Sequence, residues 1–342
     1  MHPTLLTLAP EGLYCPQGRF YIDPWRAVPQ AVVTHAHSDH ARGGCEHYLI
    51  ARPGERVFRC RLGEHVNAST LDYGETIIRN GVTVSFHPAG HVLGSAQVRL
   101  EYQGEVWVVS GDYKVVPDGT CEPFEPVPCH TFITESTFGV PIYRWQEPRV
   151  IFDEMNRWWR SNRDSGKASI IYAYSLGKAQ RILANIDPTI GPIITHGAIE
   201  PMNRAYRESG VALPVTRLVS EFEKKQSFAG AFVIAPSSAQ NSSWTRRFEP
   251  ASEAVASGWM TVRGIKRRRT VDRGFVLSDH ADWPGLNNAI KATEAKRIFV
   301  THGSTQLFAR WLRERGYDAD VVATHYSGDG EDPAHETEAI EP

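Results

Sequence analysis

Two hydrophobic rhythms divide the chain. From Arg19 to about Val140, short β-rich runs alternate with turns of Gly, Pro, Asn and Asp: Arg19–Ile22, Ala31–Thr34, Val82–His87, Gln97–Tyr102, Val106–Ser110 and Thr131–Thr134. Runs of that length between turn formers predict strands. Between Arg149 and Ile290 the period lengthens, and Ile151, Phe152, Met155, Trp158 and Trp159 fall on one helical face. That register assigns both tryptophans to a core rather than to base stacking. Then come a strand at Ser169–Tyr174, a helix at Lys178–Asn185, a strand at Pro192–Thr195, a helix near Met202–Ser209 and a strand at Ala231–Ala235. This alternation predicts a parallel sheet covered by helices. A strand at Phe275–Leu277, a helix at Trp283–Thr293, a strand at Arg297–Thr301 and a helix at Gln306–Arg315 complete the pattern. An α/β protein is expected, with a β-rich domain that is interrupted by an α/β insertion and then resumes. The expected boundaries are 1–142, 143–270 and 271–330, with an acidic tail at 331–342.

Composition excludes some classes without changing this picture. At 342 residues, 41% hydrophobic and 22% charged, the chain has the make-up of a folded protein of about two domains. No apolar run reaches the length of a membrane helix, and no basic stretch precedes an apolar one at the N-terminus. Its five cysteines form no C-x-x-C pair and read as free thiols. A soluble cytoplasmic protein is expected. The net charge of −2 hides an asymmetry, because Asp329, Glu331, Asp332, Glu336, Glu338 and Glu341 crowd into a tail without Lys or Arg. In the body, Arg263, Lys266, Arg267, Arg268, Arg269 and Arg273 form a basic block against one acid, Asp272. Such a block can be a solvated face or a polyanion contact.

Candidate chemistry concentrates in Thr34-His35-Ala36-His37-Ser38-Asp39-His40, directly after the apolar run Ala31-Val32-Val33. Residues i and i+2 leaving a strand project to one side, so His35 and His37 can share an ion. Asp39 and His40 can face a second. His91 lies on a glycine-flanked turn, and Asp112 ends the strand Val106–Val109 beside Gly111. A carboxylate between two dications offsets the repulsion of ions roughly 3.5–4 Å apart.

The motif His35, His37, Asp39 and His40, with His91 and Asp112 after it, resembles that of the metallo-β-lactamase superfamily. Thr134-Glu135-Ser136-Thr137-Phe138-Gly139, Ser278-Asp279-His280-Ala281-Asp282 and Val300-Thr301-His302-Gly303 resemble the three further motifs of its β-CASP nuclease branch. Within that branch the chain looks most like the bacterial ligase-associated DNA exonucleases. The resemblance implies a metallo-β-lactamase αββα sandwich interrupted by an inserted β-CASP α/β domain with a parallel sheet. It assigns one ion to His35, His37, His91 and Asp112, and the other to Asp39, His40, Asp112 and His302. Zn²⁺ suits this donor set and Mn²⁺ is compatible with it. Such a pair turns water into a nucleophile at neutral pH, with Asp39 in the catalytic set. Expelling a sugar alkoxide needs a proton donor. His280 is the candidate, oriented by Glu135, or equally by Asp279 or Asp282. Asp23 matches the first superfamily motif as an orienter of the His cluster. The implied partners are DNA, as single strands or strand ends, and a DNA ligase and helicase.

Gly177 and Lys178 stand where a strand turns into a helix, a natural phosphate seat. Ser237 and Ser238 follow another strand end, and Arg267 and Arg268 lead toward His280; all are candidate substrate contacts. His196, in an echo of the His302 segment, closes a strand of the insertion and can approach substrate or simply pack. Ser165-Gly166-Lys167 lacks the first glycine of a nucleotide-binding loop. Three alternatives keep the fold: an RNA-processing nuclease of the same branch, a thioester or lactam hydrolase, and a catalytically dead scaffold. The hydrolase would not need Glu135, His280 or the insertion, and the scaffold would lack ligands that are all present.

Overall fold

A computed structural model describes residues 4–223, 226–262 and 271–324. These divide into two compact units, one of residues 4–144 and 279–324, the other within 145–278.

In the first unit, β1 (Thr7–Ala9), β2 (Gly12–Cys15), β3 (Phe20–Ile22), β4 (Gln30–Val32), β5 (His47–Ala51) and β6 (Ala68–Leu71) form one sheet in sequence order. Helix α1 (Glu55–Leu62) lies between the last two strands along the chain, and Phe58 on it meets Tyr48 edge-to-face at 5.2 Å. A second sheet begins with β7 (Thr76–Arg79), β8 (Val82–Pro88), β9 (Ala96–Tyr102), β10 (Glu105–Val109) and β11 (Thr131–Glu135). The first four are antiparallel neighbours, whereas β10 and β11 pair in parallel.

The chain then builds the second unit with α2 (Pro148–Asp164), β12 (Ala168–Tyr172), α3 (Lys178–Asn185), β13 (Ile193–Thr195), α4 (Glu200–Glu208), β14 (Arg217–Leu218), β15 (Phe232–Ala235), β16 (Ala251–Ala256) and β17 (Arg273–Phe275). Its sheet has the order β14-β13-β15-β12-β16-β17, every pair parallel. Near-continuous apolar runs are what a parallel sheet covered on both faces requires. Trp159 is fully buried with Ile151, Met155 and Phe232, in the core the helical register predicted.

The first unit closes with α5 (Trp283–Ala292), β18 (Arg297–Thr301), α6 (Thr305–Glu314) and β19 (Asp318–Val321). Strand β18 pairs in parallel with β11, placing Thr301 opposite Glu135, so the second sheet runs β19-β18-β11-β10-β9-β8-β7. Period-two alternation sorts its residues. Trp107, Val109 and Ile133 face a core shared with Ile22, Val32 and Leu49 of the first sheet. Val108, Phe132 and Val300 face α5 and α6 through Leu286, Ile290, Phe308 and Leu312. The second sheet is thus covered by the first sheet on one face and by α5 and α6 on the other.

One boundary moves. The strand after the basic block, observed at Arg273–Phe275, pairs with β16 of the second unit, so the chain re-enters the first unit at Asp279 rather than at the expected 271. No helix among the described residues is long and apolar enough to cross a membrane, and none of the five cysteines is in a disulfide.

Candidate metal centre

Strand ends of the first unit deliver the ligand-type residues to one place. β4 runs out through Val33 into Thr34, whose N–H and hydroxyl donate to Asp23 Oδ1 and Oδ2 at 2.7 and 2.6 Å. Asp23 follows β3, the parallel neighbour of β4, in a left-handed conformation with φ +43°. Its Oδ2 also accepts from His40 Nδ1 at 2.7 Å. That bond fixes the ring and directs Nε2 to the opposite side, as a carboxylate behind a ligating imidazole does. The turn between these anchors carries His35, His37 and Asp39, and the His40 N–H donates to the His37 carbonyl at 3.1 Å.

Two further loops converge on the turn. His91 follows β8; its N–H donates to Ser95 Oγ at 3.0 Å, and its Nδ1 donates to the Asp279 main-chain carbonyl at 2.8 Å. Asp112 follows β10 beside Gly111, which has φ +57°. A Cβ on Gly111 would lie 2.7 Å from the Thr34 side chain, so only glycine permits this approach of the Asp112 loop to the His turn.

The donor atoms of His35, His37, His91 and Asp112 lie within 4.8 Å of one another, as do those of Asp39, His40 and His302. In the first set His37 Nδ1 is 3.1 Å from both His35 Nε2 and His91 Nε2, while Asp112 Oδ2 is 3.5 Å from His35 Nε2 and 3.8 Å from His91 Nε2. Asp112 Oδ2 also approaches His40 Nε2 at 3.4 Å, so one carboxylate touches both sets. Ligands about 2.0–2.1 Å from a tetrahedral ion are separated by about 3.3 Å, close to these spacings. Three imidazole nitrogens converging at these spacings suit a shared cation. Asp112 Oδ1 is buried without a hydrogen-bond partner among the described residues. The residues fit a pair of divalent ions.

Electrostatics distinguishes the two sets. Burial, reinforced by His40 for His35 and by His280 for His91, lowers both pKa values well below 6.5. Both rings are therefore neutral, as ligation requires. Burial also pushes His40 toward neutrality, but the carboxylates of Asp112, Asp39 and Asp23 outweigh it and raise its pKa well above 6.5. Burial lowers His302. Burial opposes ionisation of Asp112, yet His40, His280 and His35 overcome it and hold the carboxyl well below 3.8.

Glu135 and His302 arrive together because their strands, β11 and β18, are paired. His302 has φ +54°, its Nδ1 is 3.0 Å from Thr301 Oγ1, and its carbonyl accepts from the Ser136 hydroxyl. His280 Nδ1 meets Glu135 Oε2 at 2.9 Å, and the ligand atoms of Asp112, Glu135 and His280 form a third group within 4.8 Å. Of the three carboxylates offered as orienters of His280, Glu135 is the one against its Nδ1. The Asp282 carboxylate caps α5 by accepting the Gly285 N–H at 2.9 Å. Asp279 serves His91 through its main chain.

The expected phosphate seat is corrected. The Gly177 N–H already donates to Gln180 Oε1 at 2.7 Å, and Lys178 is only 1% exposed, so neither offers itself to solvent. Ser237 and Ser238 begin a short helical turn at the carboxyl end of β15, with Ser238 exposed. Arg267 and Arg268 lie outside the described residues. His196 packs against Trp244, ring centroids 4.8 Å apart. Sequence reasoning missed Thr34, Ser95, Tyr113 and Thr301; the hydroxyl directly before the His cluster and the serine four positions after His91 were the available signals.

No family model matches the chain. It is 31% identical over 315 residues to the "Probable DNA ligase" of Opitutus terrae, covering 91% of this chain and 30% of that protein. It is 31% identical over 121 residues to the "Endoribonuclease YSH1" of Candida glabrata (34% of this chain, 15% of that one). It is 26% identical over 211 residues to the "RNase J-like protein" of Methanocaldococcus jannaschii (51% and 48%). The chain therefore spans less than half the length of each. Among solved structures, a protein of unknown function from Enterococcus faecalis V583 superposes with a TM-score of 0.59 over 88% of this chain and 80% of that one. At 10% identity it shares the fold alone.

Proposed function

Since this chain belongs to the β-CASP nuclease branch of the metallo-β-lactamase superfamily, we propose that it is a metal-dependent phosphodiesterase that degrades DNA as an exonuclease in repair. The observation that carries the reading is the buried His280–Glu135 pair beside Asp112. A phosphodiester releases a poor leaving group, a sugar alkoxide, and needs a placed proton donor. A thioester does not, since its thiolate leaves unaided.

His35, His37, His91 and Asp112 would hold one ion, Asp39, His40 and His302 with Asp112 the other, as Zn²⁺ or Mn²⁺. When bound, such ions make water nucleophilic at neutral pH and neutralise charge developing on phosphoryl oxygens. The protein's own groups do the rest. Asp23 fixes the His40 ring and the Asp279 carbonyl fixes that of His91, so ligand nitrogens need not reorient. Glu135 holds Nδ1–H of His280, leaving Nε2 as the atom that passes a proton to the departing oxygen. Asp112 keeps its charge next to three histidines.

Support for DNA over RNA comes from coverage. The relative named as a DNA ligase matches nearly the whole chain, whereas those named as ribonucleases match 34–51% of it. The same relative supports a DNA ligase as partner, joined or separate. An RNA substrate is the second reading, favoured by those ribonuclease names. The test is hydrolysis of labelled single-stranded DNA, RNA and a thioester by metal-loaded protein, with Asp112→Asn as the silent control. Mononucleotides released from DNA ends are expected. Faster RNA cleavage would transfer the assignment to the second reading, and thioester turnover alone would end both.

A further inference from the structure

At the end of the first unit's sheet opposite the metal cluster lies a second candidate site. A cavity of about 310 Å³ opens where β3, β4 and β5 begin, bounded on its other side by β7 and β8. The His cluster follows the far end of β4, and Asp23 the far end of β3, so the two places share strands but not residues. The floor is apolar, from Phe20 and the buried aliphatic side chains of β4, β5 and β8. Around it stand Arg19, Arg79, His47, Gln30 and Asn80. No Asp or Glu is among the described residues that line it, and neither guanidinium has a partner among the described residues. Burial, and then the charge of Arg79, lower the His47 pKa, so the positive charge here is that of the two arginines.

Arg19 adds an independent mark. It holds a left-handed conformation, φ +58°, normally left to glycine. A residue kept in such a conformation with its side chain at a cavity is the kind of outlier that points to use. Two unpaired guanidinium forks match a phosphate dianion. The Gln30 carboxamide offers the donor and acceptor that pair with the edge of a base. The volume is at the lower end for small-ligand sites. We propose that this cavity binds a nucleoside 5′-monophosphate, its phosphate between Arg19 and Arg79 and its base on the apolar floor near Gln30. The assignment rests on the cavity alone and stands whichever polymer the metal centre cleaves.

Calorimetric titration of the metal-loaded full chain with deoxyadenosine 5′-monophosphate tests it, with deoxyadenosine and inorganic phosphate as separate probes. The nucleotide should bind at least about tenfold more tightly than either fragment. Arg19→Gly, which tolerates the positive φ, combined with Arg79→Ala should weaken it by about a hundredfold. Arg79→Gln alone, at a half-exposed strand end, should weaken it about tenfold while the melting temperature and the basal turnover of substrate stay unchanged. Asp112→Asn should leave this binding intact. Unaltered binding in the arginine variants, loss of binding in Asp112→Asn, or equal affinity for inorganic phosphate would overturn the proposal.

Discussion

His280 Nδ1 lies 2.9 Å from Oε2 and 3.1 Å from Oε1 of Glu135, and Oε1 also accepts the Tyr113 N–H at 2.7 Å. Glu135 is completely buried, so the bond is not diluted by solvent. Glu135→Gln keeps the shape and removes the charge that fixes the ring's tautomer. It should lower kcat by about 10²–10⁴-fold. Metal analysis of the purified variant should still find the wild-type content. A content reduced by one ion would make the Asp112, Glu135 and His280 group a metal site instead.

Asp23 holds Thr34 and His40 together through its two carboxylate oxygens. Asp23→Asn should retain the fold and weaken divalent-ion binding by about 10–100-fold. Competition with a chromophoric chelator measures this directly. Wild-type affinity would mean that the Thr34 bonds are structural only.

The opposed shifts within the cluster should make metal release stepwise in acid. His35 and His91, lowered below 6.5, carry no proton for an ion to displace at pH 6–7. His40, raised above 6.5 by three carboxylates, is protonated in the metal-free protein at neutral pH, and an ion must expel that proton. Affinity at the Asp39, His40 and His302 set should therefore fall by about tenfold per pH unit below the His40 pKa, while the other set is unaffected over that range. Co²⁺-loaded protein taken from pH 8 to 6 should lose one ion before the other, seen in its visible absorbance. Simultaneous loss would contradict the assignment of His40.

Gly111 separates the two ligand loops by contact distance alone. In Gly111→Ala the new methyl meets Thr34 at 2.7 Å in a backbone region unfavourable to alanine. A cost of roughly 1–3 kcal/mol in stability is expected, read as a lower melting temperature. Because Thr34 and Asp112 move apart, metal affinity should fall with it.

Much of the centre could be read from residue order. His35 to His40 is legible because adjacent residues on one strand exit need no tertiary knowledge to be neighbours. His302 was separable from its echo at His196 only by its place after the Ser278–Asp282 segment. What escaped has physical reasons. The Asp279 contact to His91 uses a main-chain carbonyl, which no residue type announces. Lys178 follows a glycine turn just as a phosphate-binding lysine would, and only packing shows that its amine is enclosed. The strand Arg273–Phe275 could pair with either sheet, since partner choice is a nonlocal property.

Strand β18 completes the second sheet only by pairing with β11, Thr131 against Arg297, after the whole of the second unit has been synthesised. On the ribosome, the His turn is therefore made early and must wait for both His280 and His302. A nascent or prematurely terminated polypeptide cannot assemble the full constellation, and contacts so distant along the chain form slowly. The constellation thereby stays incomplete until residue 302 has been made.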